Sequence, residues 1–285
     1  MKLLVHLHVY YHDQLDWFLE QLSHIDGCSW DLTVTWSGEH PQSEAAVRVF
    51  RPDARILPVE NVGYDIWPFL YVLQNTDLTA YDGMMKLHTK NTDERANKIN
   101  GIKLSGTQWR DCLVLPLLES PQQFRKALHQ LESNPRCGMV CSGFLIRQPS
   151  RYLPEDSADL EKEMSRIGLK CSDRRFCAGA MFLARSAAFL SLQSIALSES
   201  DFKAGGSHAI GTLAHIYERI ISIVVSAGGY ALVPADYHRL SYAFWRIGRC
   251  IGSLLKNIFA LNHSKIDGKK YLTLFGFTFP LSKTL

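Results

Sequence analysis

No C-x-x-C pair occurs among the seven cysteines (Cys28, Cys112, Cys137, Cys141, Cys171, Cys177 and Cys250), and their number is odd. Neither a disulfide framework nor a paired-cysteine metal site is expected; buried free thiols in a reducing compartment are. No run of eighteen apolar residues exists, so no membrane-spanning helix is expected. The opening "MKLLVHLHVYYHD" has too short an apolar stretch for a signal peptide, and histidines interrupt it. G-x-G-x-x-G, Walker and G-x-S-x-G patterns are all missing, which counts against dehydrogenase, NTPase and α/β-hydrolase readings. There is no internal repeat and no low-complexity segment. Charge is in small excess, +3 with a pI near 8.4, which makes no case for nucleic acid and suits an anionic ligand or an anionic membrane surface. A cytoplasmic protein is expected.

What is present is core material. The 285 residues are 46% hydrophobic and 21% charged, enough to bury a substantial interior in one large domain or two small ones.

Strand and helix signals alternate from the start. Residues 3–9 read as a strand and 13–25 as a helix, with Leu15, Phe18, Leu19, Leu22 and Ile25 at helical spacing. Strands follow at 31–36, 54–59 and 81–89, with helices at 43–50 and 65–74; Pro58 places the 54–59 strand near an edge. "QWRDCLVLPLLES" and "PQQFRKALHQLES" read as helices, "CGMVCSGF" and "RRFCAGAMFLAR" as glycine-bearing strands, 211–229 as a helix and "YALVPA" as a last strand. Such alternation predicts an α/β, doubly wound sheet, whose ligands gather at the carboxyl ends of the strands. A soft boundary near residue 240 divides a domain at 1–240 from a tail at 241–285. In the tail, residues 241–261 read as a basic amphipathic helix, suited to a membrane surface or to packing on the domain's own core, and 269–281 as a strand pair turning near Gly276.

Four stretches could carry chemistry. In "KLHTK", Lys86, His88 and Lys90 alternate on a strand and share a face, with Thr89 near the end. This set suits an anion such as a diphosphate, or else a solvated edge strand. In "ENVGYDIWPFL", Gly63 permits positive φ or close ligand approach and Asn61 offers a polar contact. Asp65 either caps the following helix or accepts hydrogen bonds from sugar hydroxyls. In "AHIYERI", His215, Glu218 and Arg219 fall within one helical turn, as a plain polar group or as a general base with orienting partners. His6, His8 and His12 lack carboxylate or cysteine companions at ligand spacing, so no metal is expected; one of them lining a nucleotide pocket is the better use.

Taken in order, "VHLHVYYHDQLDWFLEQL", "DLTVT", "NVGYDIWPFL", "YDGMMKLHTKNT", "WRDCLVLPLL", "FCAGAMFLAR" and "GTLAHIYERI" resemble the rhamnan synthesis protein F family of bacterial glycosyltransferase-like proteins, from about residue 5 to 235. The resemblance implies a GT-A-like, Rossmann-like, mostly parallel sheet flanked by helices. It also implies a nucleotide-sugar-dependent glycosyltransferase of cell-surface polysaccharide assembly, O-antigen or capsule in type, with rhamnose a candidate sugar. The implied site residues are Asn61, Gly63 and Asp65 (N-x-G-x-D), Lys86, His88, Thr89 and Lys90 (K-x-H-T-K), Gly179 and Met181 (A-G-x-M-F), and His215, Glu218 and Arg219 (H-x-x-E-R); of the first-strand histidines, His8 is the one expected at the donor. Where the family usually has arginine this chain has Tyr64, and many members are longer.

GT-A enzymes commonly hold a divalent metal with D-x-D at the end of the fourth strand. This chain has no D-x-D and carries "KLHTK" there. The expectation is therefore metal-independent transfer, with no cofactor beyond the nucleotide-sugar substrate and the cations facing the leaving diphosphate. Glu218 is the first candidate for the base, Asp65 suits donor binding, and Asp173 and Asp201 are further carboxylates. The acceptor implied is a lipid-linked glycan at the inner membrane face, with residues 241–261 as a peripheral contact. The alternative is a non-catalytic carbohydrate-binding or scaffold subunit of a polysaccharide synthesis complex; a phosphate-handling enzyme is a third reading.

Overall fold

The computed structural model describes residues 1–92, 97–99, 102–148, 154–203, 212–237, 251, 254–255, 258–263, 270–275 and 277–281. The first part alternates strictly: β1 (Lys2–His8), α1 (Leu15–Leu22), β2 (Ser29–Trp36), α2 (Pro41–Phe50), β3 (Arg55–Pro58), α3 (Ile66–Gln74) and β4 (Gly83–His88). A small hairpin of β5 (Asn97–Ile99) and β6 (Ile102–Leu104) precedes α4 (Gly106–Leu118) and α5 (Pro121–Ser133). Next come β7 (Cys137–Cys141), β8 (Ile146–Arg147), α6 (Pro154–Arg166), β9 (Phe176–Cys177) and β10 (Phe182–Arg185). Then α7 (Leu190–Gln193), α8 (Glu199–Lys203), α9 (Leu213–Ala227) and β11 (Ala231–Pro234) lead to a terminal meander of β12 (Phe259–His263), β13 (Lys270–Leu274) and β14 (Phe277–Leu281).

Local chemistry sets several of these boundaries. Pro41 and Pro121 stand in the first turns of α2 and α5, where a missing N–H costs nothing. Ser105 and Gln108 form a reciprocal capping box at α4.

The main sheet has seven strands in the order β11-β7-β10-β4-β1-β2-β3. All neighbours are parallel except β10, which runs antiparallel between β4 and β7. This is the doubly wound, mostly parallel sheet expected, with β3 at an edge as Pro58 indicated. Alternation divides its two faces. Leu3, Val5, Leu7, Met85 and Leu87 pack with α1, α2, α4 and α5. Leu4, Met84, Met139 and Phe182 pack on the other side with α3, α6 and α9.

Two expectations need correction. "RRFCAGAMFLAR" is not one strand: positive φ at Gly179 (84°) and Ala180 (44°) breaks it into β9 and β10, which lie in different sheets. The end of the helix expected over 241–261 is a strand, β12, although residues 251, 254, 255 and 258 are helical; most of that stretch lies outside the described residues. The strand pair expected over 269–281 is observed as β13 and β14, and β12 joins it in a three-stranded sheet. The helix α6 carried no signal strong enough to be expected.

Candidate active site

Parallel pairing places a polar stripe in the sheet beneath α3. In the β2-β1-β4 register, Thr33 lies beside His6 and His6 beside Lys86; Thr35 lies beside His8 and His8 beside His88. All six are buried. Thr35 Oγ1 lies 2.9 Å from His6 Nε2 and 3.0 Å from His8 Nδ1.

Asp65 closes over this stripe from the start of α3. Its Oδ2 accepts from Lys86 Nζ at 2.5 Å and lies 3.3 Å from His88 Nδ1. Lys86 is wholly buried and also donates to the Ala180 carbonyl at 3.0 Å. The capping alternative for Asp65 is not observed: its side chain makes no cap hydrogen bond, because the carboxylate is turned to the sheet.

Burial pushes the Asp65 carboxyl up, but His88 when protonated, Lys86 and Lys90 outweigh it and hold the group far below the usual carboxylate range. Burial also lowers the histidines, His8 to about 4 and His6 and His88 well below their ordinary value, with Lys86 adding to the effect in each. The imidazoles are therefore neutral near pH 7. His88 Nε2 has no hydrogen-bond partner among the described residues.

In front of this stripe opens a cavity of about 680 Å³ at the carboxyl ends of β1, β3 and β4. The N-x-G-x-D loop supplies Asn61, Gly63, Tyr64 and Asp65; the strand ends supply His8, His88, Thr89 and Lys90. Gly63 has φ +64°, and a Cβ there would meet Phe202 and Trp67 at 2.8 Å, so close packing requires the glycine. Tyr64 also has positive φ (55°), an unusual state for a bulky residue, and its half-exposed ring edges onto His215 at 5.8 Å. Thr89 Oγ1 accepts from the backbone amides of Tyr10 and Tyr11, both at 2.9 Å, and so fixes two tyrosines at the rim. Lys90 makes no ion pair among the described residues and sits 6.0 Å from the Trp109 ring. "KLHTK" thus divides its labour: Lys86 is consumed by Asp65, whereas Lys90 faces the cavity.

The remaining candidates stand behind the cavity. Glu218 Oε1 accepts from the Gly179 amide at 2.7 Å and is not among the cavity-lining residues. Met181 is fully buried in the core on the α4 side. Arg219 donates to the His215 carbonyl at 2.6 Å and its guanidinium lies 5.3 Å from the Phe176 ring. His215 Nδ1 lies 2.7 Å from Thr212 Oγ1, and Thr212 lines the cavity. Asp173 pairs with Arg175, and Asp201 binds the Ser198 amide and hydroxyl. The motif stretches therefore form one contact chain: Glu218 to Gly179, Ala180 to Lys86, and Lys86 to Asp65 at the cavity wall. Tyr10, Tyr11, Phe202, Lys203 and Thr212 line the cavity without having been expected there. Tyr10, Tyr11 and Thr212 lie within the quoted stretches "VHLHVYYHDQLDWFLEQL" and "GTLAHIYERI", whereas Phe202 and Lys203 lie in none.

The commonly implied divalent metal does not fit the described wall. Asp65 is the one carboxylate lining the cavity among the described residues, and Lys86 already claims it. No group of three or more potential ligands occurs among those residues.

The molecule is thus a doubly wound α/β protein with a polar cavity at its strand ends, walled by ordered sequence motifs. The chain belongs to the rhamnan synthesis protein F family, whose model matches residues 1–230. It is similar to the uncharacterized protein WxcX of two Xanthomonas campestris pv. campestris strains, 26% identical over 235 residues in each; the match covers 81% of this chain and 32% of WxcX. The chain spans about a third of the length of those curated relatives. Among solved structures it is similar to glucosyl-3-phosphoglycerate synthase from Mycobacterium tuberculosis in complex with Mn2+, UDP and glucosyl-3-phosphoglycerate. That match has 13% identity and a TM-score of 0.42 and covers 100% of this chain and 88% of the other. A second mycobacterial structure matches at 13% and 0.42, covering 98% and 86%. Neither carries an inference about this chain.

Proposed function

We propose that this chain is a glycosyltransferase of surface-polysaccharide assembly, taking a sugar from a nucleotide-sugar donor held in the strand-end cavity. One observation carries the reading: the N-x-G-x-D and K-x-H-T-K motifs of the family meet there, with Lys90 on the wall. Lys90 receives the diphosphate, since an ammonium serves phosphate as a point charge. Asp65, held ionised, accepts from ribose or sugar hydroxyls through the oxygen that Lys86 does not fill. Tyr10, Tyr11 and Tyr64 offer ring faces to base or sugar. Rhamnose is the candidate sugar, and a lipid-linked glycan at the inner face of the membrane is the acceptor. Transfer proceeds without a divalent ion, in keeping with the engaged state of Asp65; activity abolished by EDTA and restored by manganese contradicts this.

Transfer also requires a proton acceptor for the acceptor hydroxyl. His215, directly behind the cavity-lining Thr212 and Tyr64, is our candidate for this role: with Nδ1 donating to Thr212 Oγ1, Nε2 is left to accept a proton. Glu218, bonded to the Gly179 amide, positions the 178–181 turn and through it Lys86.

A second reading, a non-catalytic carbohydrate-binding subunit, is favoured by Tyr64 where relatives carry arginine and by the mutual neutralisation of Lys86 and Asp65. A thermal-shift panel with UDP, dTDP, GDP and CMP separates the two. Stabilisation by one nucleotide supports the donor site, and no shift with any supports the binding subunit.

A further inference from the structure

The meander β12-β13-β14 presents its apolar face outward. Residues directly opposite in antiparallel strands share a face. Phe259 pairs with Leu274 and Leu274 with Phe277, and Leu272 pairs with Phe279, so these five lie on one side. Phe259, Phe277 and Phe279 are 61%, 70% and 51% exposed, while Thr273, on the opposite side, is fully buried. A meander packed only for its own stability would bury the phenylalanines and expose the threonine. Just before it, Ile251, Leu254, Leu255 and Ile258 are spaced along one helical face and are also exposed. The Phe275 amide donates to the Ile258 carbonyl at 3.0 Å, which joins the meander's tip to the end of that helix. A contiguous apolar surface of this kind marks an interaction site.

Charge identifies the partner. Residues 241–285 hold seven Lys or Arg (Arg246, Arg249, Lys256, Lys265, Lys269, Lys270, Lys283) against the single Asp267. That segment carries +6 in a chain of net +3, so the first 240 residues carry −3. Cations are therefore concentrated on the segment that exposes its aromatics, the combination that binds anionic bilayers. A second copy of the chain would bring +6 against +6. We propose that residues 251–281 seat the chain on an anionic phospholipid surface. Phe259, Phe277, Phe279, Leu254 and Leu255 enter the headgroup–acyl boundary, and the net charge of the segment draws it to anionic lipid. The seating is independent of what the cavity binds.

The test is co-sedimentation of the full chain with phosphatidylcholine vesicles and with phosphatidylcholine–phosphatidylglycerol vesicles. Binding to the phosphatidylglycerol vesicles alone, weakened by salt, is expected. The double variant Phe277→Glu/Phe279→Glu should bind about 100-fold more weakly, from the lost burial of two aromatic side chains. Its unchanged circular dichroism would show that it folds. Should it not fold, Lys269→Glu/Lys270→Glu serves instead, with loss of the preference for phosphatidylglycerol expected. Equal binding to both vesicles, or to neither, overturns the proposal. So does a dimer in sedimentation velocity that the phenylalanine variant dissociates while vesicle binding is unchanged.

Discussion

Lys86 Nζ and Asp65 Oδ2 meet at 2.5 Å, the lysine with no exposed surface and the carboxylate largely buried. The pair fastens the start of α3 to the middle of the sheet. It also converts what sequence presents as two independent binding groups into one neutral unit. Removing one partner strands the other charge in the interior, which costs about 3–5 kcal/mol. Lys86→Met should lose stability on that scale in urea unfolding. Lys86→Met/Asp65→Asn should recover a large part of it, because the second change removes the stranded charge. Equal stability of Lys86→Met and the native chain would show that the pair is not a buried unit.

The neutral histidines give stability a pH dependence with a definite sign. His6, His8 and His88 have folded values below their ordinary one, His8 at about 4. Below about pH 6.5 the unfolded chain takes up protons that the folded chain refuses, so stability falls as pH falls, by up to about 1.4 kcal/mol per pH unit for each histidine. Asp65 adds to the loss further down: its folded value is depressed, so its contribution is complete above about pH 5 and fades below the unfolded value near 3.9. Urea midpoints measured from pH 7.5 to 4.5 should fall steadily. His8→Asn should flatten the upper part of that slope, and a flat native profile would contradict neutral buried imidazoles.

Gly63 is held at φ +64° with Phe202 and Trp67 against it. Gly63→Ala should cost about 1–3 kcal/mol from strain and displacement of the loop. It should also reduce nucleotide-induced stabilisation, because Asn61 and Asp65 flank the displaced residue. Tyr64→Gly relieves the strained φ at position 64 itself, so its melting temperature should hold or rise while nucleotide stabilisation falls. Binding unchanged in both variants would remove the 61–65 loop from the donor site.

Glu218 and His215 separate by a conservative exchange. Glu218→Gln keeps an oxygen to accept from the Gly179 amide, so turnover should be largely retained. His215→Ala should lower kcat by about 10²–10⁴-fold, the usual worth of a general base, with little change in KM. The reverse pattern would return the base to Glu218.

Much of the fold was legible because its signals are local. Strict alternation of apolar runs from Lys2 to His88 fixed the parallel half of the sheet, and Pro58 marked its edge. Alternation also put Lys86 and His88 on one face. Sequence could not show that Asp65 reaches back to consume Lys86, since that contact spans 21 residues and depends on how α3 packs on the sheet. The antiparallel insertion of β10 and the break at Gly179 were hidden for a related reason: a glycine that permits close approach and one that reverses the chain look alike in sequence. The helix pattern in 241–261 ran on into β12 because Ile258, Phe259 and Leu261 satisfy either period. The rim residues Phe202 and Lys203 arrive from a short helix with no motif of its own.

The central claim is that the cavity in front of Asp65 and Lys90 binds a nucleotide sugar's diphosphate. Isothermal titration of the native chain and of Lys90→Ala with UDP, dTDP, GDP and CMP, in EDTA, tests it most directly. The account predicts that one nucleoside diphosphate binds the native chain without added metal, and that Lys90→Ala binds it at least about tenfold more weakly, the loss of one charge-assisted contact. No binding of any of the four, or binding that Lys90→Ala leaves untouched, would contradict it.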